Sequence, residues 1–250
     1  MNALALKLLA MFIMLIDHTG VVLRHAGLIA KPLYRAMRII GRGAFPIFCF
    51  QIVEGAKHTK RKWFYLLRLV LLAILSDVFF DLALFSNWLD FKHQNVFFTL
   101  SLGLIIVYVI QWAATLRGKK IILGVLASGV SAALLSYLAS KFLHTDYGAS
   151  GVLQIAVMGL LVLPLERIPY LQERAFSVRM IRVLVCAAAI TVCAWICKGT
   201  EWWAYYALLP IALYNGKKGY HSKVLQYSLY LFYPVHLLIL GLIFILPRIR

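Results

Sequence analysis

Nine apolar runs take up most of this chain, at positions 3–23, 39–53, 63–85, 96–116, 121–140, 150–165, 181–197, 201–214 and 224–246. A stretch of about twenty apolar residues crosses the hydrocarbon of a bilayer as a helix, because only a helix or a closed barrel satisfies its backbone polar groups there. With 63% hydrophobic residues, 14% charged residues and a mean hydropathy of +0.85, the chain has more apolar surface than a soluble core of 250 residues can bury. The sequence predicts an all-α, polytopic transmembrane bundle of about nine spans, with eight or ten as alternatives. Residues 1–250 are expected to form a single integral-membrane domain, since no polar stretch is long enough for a second one and no internal repeat is evident. The first run continues through Asp17 and His18 with no small-residue cleavage site, so it reads as a retained anchor.

The net charge of +17 would suggest nucleic acid in a soluble protein. Here the cations cluster between the apolar runs, as membrane topology requires, so no nucleic-acid partner is expected and the bilayer is the partner instead. Nine spans put 16 of the 26 lysines and arginines on the side of Lys7, which predicts a cytoplasmic N-terminus. The exception is the first connection, where Arg24, Lys31, Arg35, Arg38 and Arg42 fall on the opposite side. Either the short second run, which contains Pro46, is re-entrant, or these cations have a function. The latter is the preferred reading.

Lys7 and His18 are eleven positions apart, which returns to nearly the same helix face about 16 Å deeper. Ionisable side chains inside a membrane cost about 3 kcal/mol each on insertion scales, so Lys7, Asp17 and His18 in one run call for a functional reading. Other polar groups fall at the outer level of the predicted bundle. Arg42 lies between Gly41 and Gly43 at the start of the second run; Asp77 and Asp81 share a helix face at the end of the third. His93 and Asn95 precede the fourth run, Asp146 and Tyr147 precede the sixth, and His236 lies about a dozen residues into the last. A structural ion pair would also account for Asp81, Asp146 or Arg42, and a headgroup position for His93. Cys186, Cys193 and Cys197 share a face and read as packing residues, with no CxxC pair, and no metal is expected.

An imidazole in apolar surroundings with a carboxylate from another helix is a tunable base that can take a proton from an amine or hydroxyl. Asp17 is adjacent in sequence and points about 100° away from His18, so Asp77 is the preferred partner. The absence of a serine elbow, a catalytic cysteine motif, HExxH, a P-loop and a Rossmann glycine motif favours direct attack on an activated thioester.

Several segments taken in order, Lys7–His18 (KLLAMFIMLIDH), Gly41–Pro46 (GRGAFP), Ser76–Asp81 (SDxxFD), His93–Leu100 (HQNVFFTL), Asp146–Gly148 (DYG), Leu213–Gly216 (LYNG) and Phe232–His236 (FYPVH), resemble the TraX family over essentially the whole chain. TraX proteins are known for N-terminal acetylation of F-type pilin and are grouped with wider transmembrane acyltransferases. Among these are bacterial O-acetyltransferases, in which a basic residue lies eleven positions before a catalytic histidine. The resemblance implies acetyl-CoA as acyl donor, bound from the cytoplasm with Lys7 near its phosphates and the thioester reaching toward His18. Asp77 stands where the family leads one to expect glutamate.

The expected protein is therefore an acetyltransferase of the bacterial plasma membrane. His18 would be its base, with Asp77 and Asp17 as catalytic carboxylates. Lys7, Arg42, Tyr147 and His236 would contact the donor or its developing charge, and Asp81, His93, Asn95 and Asp146 the acceptor. The acceptor would be a peptide amine such as a pilin N-terminus, or alternatively a cell-envelope glycan or lipid-linked sugar. A proton-coupled transporter and a non-catalytic assembly factor are the rival classes.

Overall fold

The computed structural model describes residues 1–85, 92–163 and 175–245, and every regular element among them is helical. The elements are α1 (Ala3–His25), α2 (Lys31–Gly41), α3 (Ala44–His58), α4 (Lys62–Phe85), α5 (Val96–Ala113), α6 (Lys120–Lys141), α7 (Gly148–Gly159), α8 (Ala175–Cys197), α9 (Leu208–Ala212) and α10 (Lys223–Leu240). A 3₁₀ turn extends α7 through Leu160–Val162, a 3₁₀ segment Gly199–Ala207 leads into α9, and a π turn Gly241–Ile245 follows α10. Arg167, Arg174, Arg248 and Arg250 of the charge count, and the ends of the sixth and ninth runs at 164–165 and 246, lie outside the described residues.

Among the described residues, six segments are long and apolar enough to cross a membrane: Ala3–His25, Lys31–His58, Val96–Ala113, Lys120–Lys141, Ser177–Cys197 and Lys223–Ile245. The difference from the expected nine has a physical basis. The sixth run forms a shorter apolar helix, Gly148–Val162, and the eighth is mainly 3₁₀ rather than α. The α4 helix has 24 residues and is largely apolar, with Arg68 and Asp77 as the charged residues between 63 and 80.

Local chemistry sets the breaks. Asn2 caps α1 by accepting from the N–H of Ala5 at 2.9 Å. Lys198 and Gly199 both have positive φ, of 60° and 68°, which ends α8 and turns the chain back. Between α2 and α3, Gly41 and Gly43 allow two close approaches: a Cβ at the first would overlap the Asp17 carboxylate, and at the second the Tyr206 ring.

Connections gather at two ends of the bundle. At the Lys7 end, the Met1 ammonium donates to Leu213 O (2.6 Å), Ala3 N–H to Lys217 O (2.8 Å), Gln111 to Ala56 O (3.0 Å) and Tyr108 to Lys62 O (3.0 Å). At the opposite, Arg42 end, the 92–95 and 143–147 connections pair through Asp146 N–H and Gln94 O at 2.8 Å. The α3 helix starts at the Arg42 end and finishes at the Lys7 end, where Ala56 meets Gln111 of α5. The second run therefore extends from one end of the bundle to the other rather than turning back within it.

The core lies where α1, α3, α4, α5, α7, α8 and α10 meet, around Leu6, Phe50, Leu104, Ile155, Ile190 and Leu237. The α6 helix is peripheral: only Gly124, Ser136 and Ala139 are buried, while Ile122, Leu123, Val125, Leu126 and Val130 are exposed. An apolar surface of this extent suits acyl chains rather than water.

Candidate active site

His18 of α1 and His236 of α10 meet inside the bundle, only 8% and 5% exposed, with His18 Nδ1 2.8 Å from His236 Nε2. The rings are nearly coplanar, at 4°, with centroids 5.1 Å apart. His236 Nδ1 lies 2.8 Å from the carbonyl oxygen of Phe232, one turn back along α10. Tyr233 stands edge-on to both imidazoles, at 5.8 and 5.4 Å between centroids. It is 2% exposed, and its hydroxyl has no protein partner among the described residues.

Asp77 does not meet His18. Its Oδ1 accepts from the Asn95 side-chain amide at 2.9 Å and the Asn95 backbone N–H at 3.2 Å. Asn95 caps α5 through the Phe97 N–H (3.0 Å) and donates to Ala73 O (2.8 Å). A helix N-terminus offers unpaired N–H groups and a favourable dipole, and Asp77 is used there. The partner expected of Asp77 is supplied instead by the second imidazole.

The Arg42 end holds an ionic cluster. Arg38 of α2 pairs with Asp17. Arg42 Nη1 lies 3.0 Å from Glu201 Oε1, and its Nε donates to Thr200 Oγ1 at 3.1 Å. Of the two partners expected for Arg42, an anion or a carboxylate, the fold supplies a carboxylate, that of Glu201. Tyr147 stacks on Phe45 with centroids 3.6 Å apart, and the Tyr206 hydroxyl donates to Ile40 O while accepting from Gly43 N–H at 3.0 Å. The anomalous cations of the first connection thus find partners within the fold in at least three cases, for Arg24 also donates to Ile29 O at 3.1 Å.

The remaining candidates are more scattered. Asp81 is fully buried on α4, one turn beyond Asp77. His93 is exposed and stacks on Phe85 at 4.4 Å, and Asp146 is exposed beside Tyr147. Cys197 departs from the packing expectation: it is exposed, with its thiol 2.9 Å from the Ser150 hydroxyl, while Cys186 and Cys193 are buried.

At the other end, a cavity of about 680 Å³ opens beside Lys7. Lys60, Arg61, Arg68 and Lys218 join Lys7 in its wall, along with His58, His221 and Glu54; Tyr65, Tyr214 and Tyr230 add aromatic surface. A concave wall with five cations set among aromatic and apolar faces fits a polyphosphate with a ring attached. Lys7 and His18 lie on one helix about 16 Å apart along its axis, so the cavity and the imidazole pair occupy different depths of the bundle.

Sequence reasoning missed Glu201, Arg38, Tyr206 and Tyr233 as members of these clusters. The available signal was scarcity. With only nine acidic residues in 250, each one near the end of an apolar run is a candidate partner for a buried arginine.

The TraX protein family matches residues 3–244. The chain is also 26% identical over 266 aligned positions to the probable fimbrial assembly protein FimC, serogroup H1, of Dichelobacter nodosus, covering 96% of this chain and 94% of that one. No solved structure matches. The family match runs from the first turn of α1 into the π turn after α10 and includes Lys7, His18, Arg42, Asp77, Tyr147 and His236, so this chain belongs to the TraX family.

Proposed function

We propose that the protein is a membrane acetyltransferase, with acetyl-CoA as donor and an amine as acceptor. The observation that carries this reading is the basic cavity of about 680 Å³ at one end of α1, with a buried imidazole on the same helix further in. The phosphates of acetyl-CoA would lie against Lys7, Lys60, Arg61 and Lys218, and its acyl arm would extend along α1 toward His18. His18 would take the proton released as the acceptor nitrogen attacks the thioester carbonyl, the amide would form, and the CoA sulfur would leave as thiolate. Tyr233, buried beside both rings with a hydroxyl that has no partner among the described residues, would donate to the oxygen on which charge develops.

The Arg42 end would receive the acceptor. Asp17, Asp146 and Glu201 there would offer carboxylates to an approaching ammonium. A pilin-type N-terminus meets that requirement, and the similarity to a probable fimbrial assembly protein supports it. The excess of cations on the Lys7 side would place that end in the cytoplasm and the Arg42 end outside the plasma membrane. Nine crossings then result if α4, α7 and the segment Gly199–Ala212 also traverse, the last being roughly 25 Å long at 3₁₀ and α rises.

The test is incubation of the full chain in proteoliposomes with labelled acetyl-CoA and a peptide bearing a free N-terminus. Label appearing on the peptide with wild-type protein and not with His18→Ala supports the reading. Transfer to a glycan hydroxyl but not to the amine would replace the acceptor class. Absence of CoA binding would overturn the enzyme and favour a carrier.

A further inference from the structure

We propose that His236 is a positioning residue that fixes the tautomer of His18, holding the hydrogen on Nδ1 so that the basic lone pair is on Nε2. The proposal rests on the acetyltransferase reading for its consequence, but its structural content stands on hydrogen bonds alone.

The argument starts at the Phe232 carbonyl. A carbonyl oxygen can only accept, so His236 Nδ1, 2.8 Å away, must carry a hydrogen. A neutral imidazole has one N–H, so His236 Nε2 then presents a lone pair. That lone pair faces His18 Nδ1 at 2.8 Å, which must therefore be the donor. With both rings neutral, one carbonyl determines the two tautomers in turn and leaves the free lone pair on the His18 nitrogen away from His236.

The surroundings prevent the relay from rotating out of line. The Phe232 ring stacks on the His236 ring at 4.9 Å and 20°, and Tyr233 closes its edge at 79°. Tyr233 is itself held by Phe97, at 4.7 Å between centroids. The 4° angle between the imidazoles keeps the bond in both ring planes, where nitrogen lone pairs lie. The carboxylate that would otherwise compete for His18, that of Asp77, is engaged by Asn95. Orientation is thus supplied by an uncharged group, which suits a site between apolar helices where an unpaired carboxylate would be costly.

Two measurements on the full chain in lipid nanodiscs decide the matter. The first is ¹⁵N NMR of histidine-labelled protein, assigned with His18→Ala and His236→Ala. The proposal expects an N–H-type Nδ1 and an unprotonated Nε2 on both rings. An Nε2–H signal from His18 overturns it, whether or not the protein acetylates anything. The second compares His236→Gln with His236→Asn. The longer amide can place an acceptor near the Nε2 position, whereas the shorter one reaches only the Nδ1 position. His236→Gln should retain kcat within a few-fold, and His236→Asn should lose roughly 10- to 100-fold, both with KM for acetyl-CoA unchanged. Equal kcat for the two variants overturns the proposal. If no acetyl transfer is detected in any form while the NMR shows the expected tautomers, the enzymatic reading has failed and the hydrogen-bond assignment has held.

Discussion

Glu201 Oε1 lies 3.0 Å from Arg42 Nη1, joining the 3₁₀ segment Gly199–Ala207 to the start of α3 with both side chains largely buried, at 13% and 11% exposure. Removing one partner of such a pair leaves an uncompensated charge, whereas removing both does not. Glu201→Leu should lower stability by about 3 kcal/mol, and combining it with Arg42→Met should recover most of that loss. A double-mutant cycle of thermal unfolding in detergent gives the coupling. Additive losses would show that the pair contributes little.

The glycines give a second contrast. A Cβ at Gly41 would overlap the Asp17 carboxylate and displace it from Arg38, whereas a Cβ at Gly129 of α6 meets nothing within 4 Å. Gly41→Ala should therefore lower the melting temperature, and Gly129→Ala should leave it unchanged or raise it, by about 0.5–1 kcal/mol in stability. Scanning both variants side by side checks the close packing of α2 on α1.

Asn95 serves three groups at once: the N–H of Phe97, the carbonyl of Ala73 and the carboxylate of Asp77. Asn95→Ala should cost more than the ~1 kcal/mol typical of a lost helix cap, because it also removes the side-chain amide bonds to Ala73 O and Asp77 Oδ1. A loss confined to the value of a cap would mean that water replaces the amide.

Cations in the cavity wall should act on donor affinity. Lys7→Gln and Lys218→Gln are each expected to raise KM for acetyl-CoA roughly tenfold with little change in kcat, and added salt should raise KM in the wild type. Unchanged KM in both variants would remove this cavity as the donor site.

Cys197 is exposed at the Arg42 end, while Cys49, Cys186 and Cys193 are buried. A membrane-impermeant maleimide added to intact cells should label one thiol, and Cys197→Ser should abolish the labelling. Labelling seen only after cell disruption would place the Arg42 end inside and reverse the proposed orientation.

The runs of apolar residues fixed the all-helical architecture before any contact was known, since a backbone in hydrocarbon must bond to itself locally. The Gly41-Arg42-Gly43 element was likewise legible: two residues without side chains around a cation indicate close approach, and Asp17 and Tyr206 occupy that space. Lys7 and His18 could be placed on one helix face from their separation alone. Their partners could not. Helical periodicity states which way a side chain points from its own axis but not which helix it will meet, so His18 could as readily have met Asp77 of α4 as His236 of α10. That choice was made by packing: Asn95 captures Asp77 at the start of α5, and α10 brings a second imidazole to 2.8 Å. The same holds for Arg42, whose acid lies 159 positions away and reaches it only because the positive-φ residues Lys198 and Gly199 turn the chain back across the bundle. Local sequence determined what crosses the membrane, and long-range packing decided which buried charges and rings face one another.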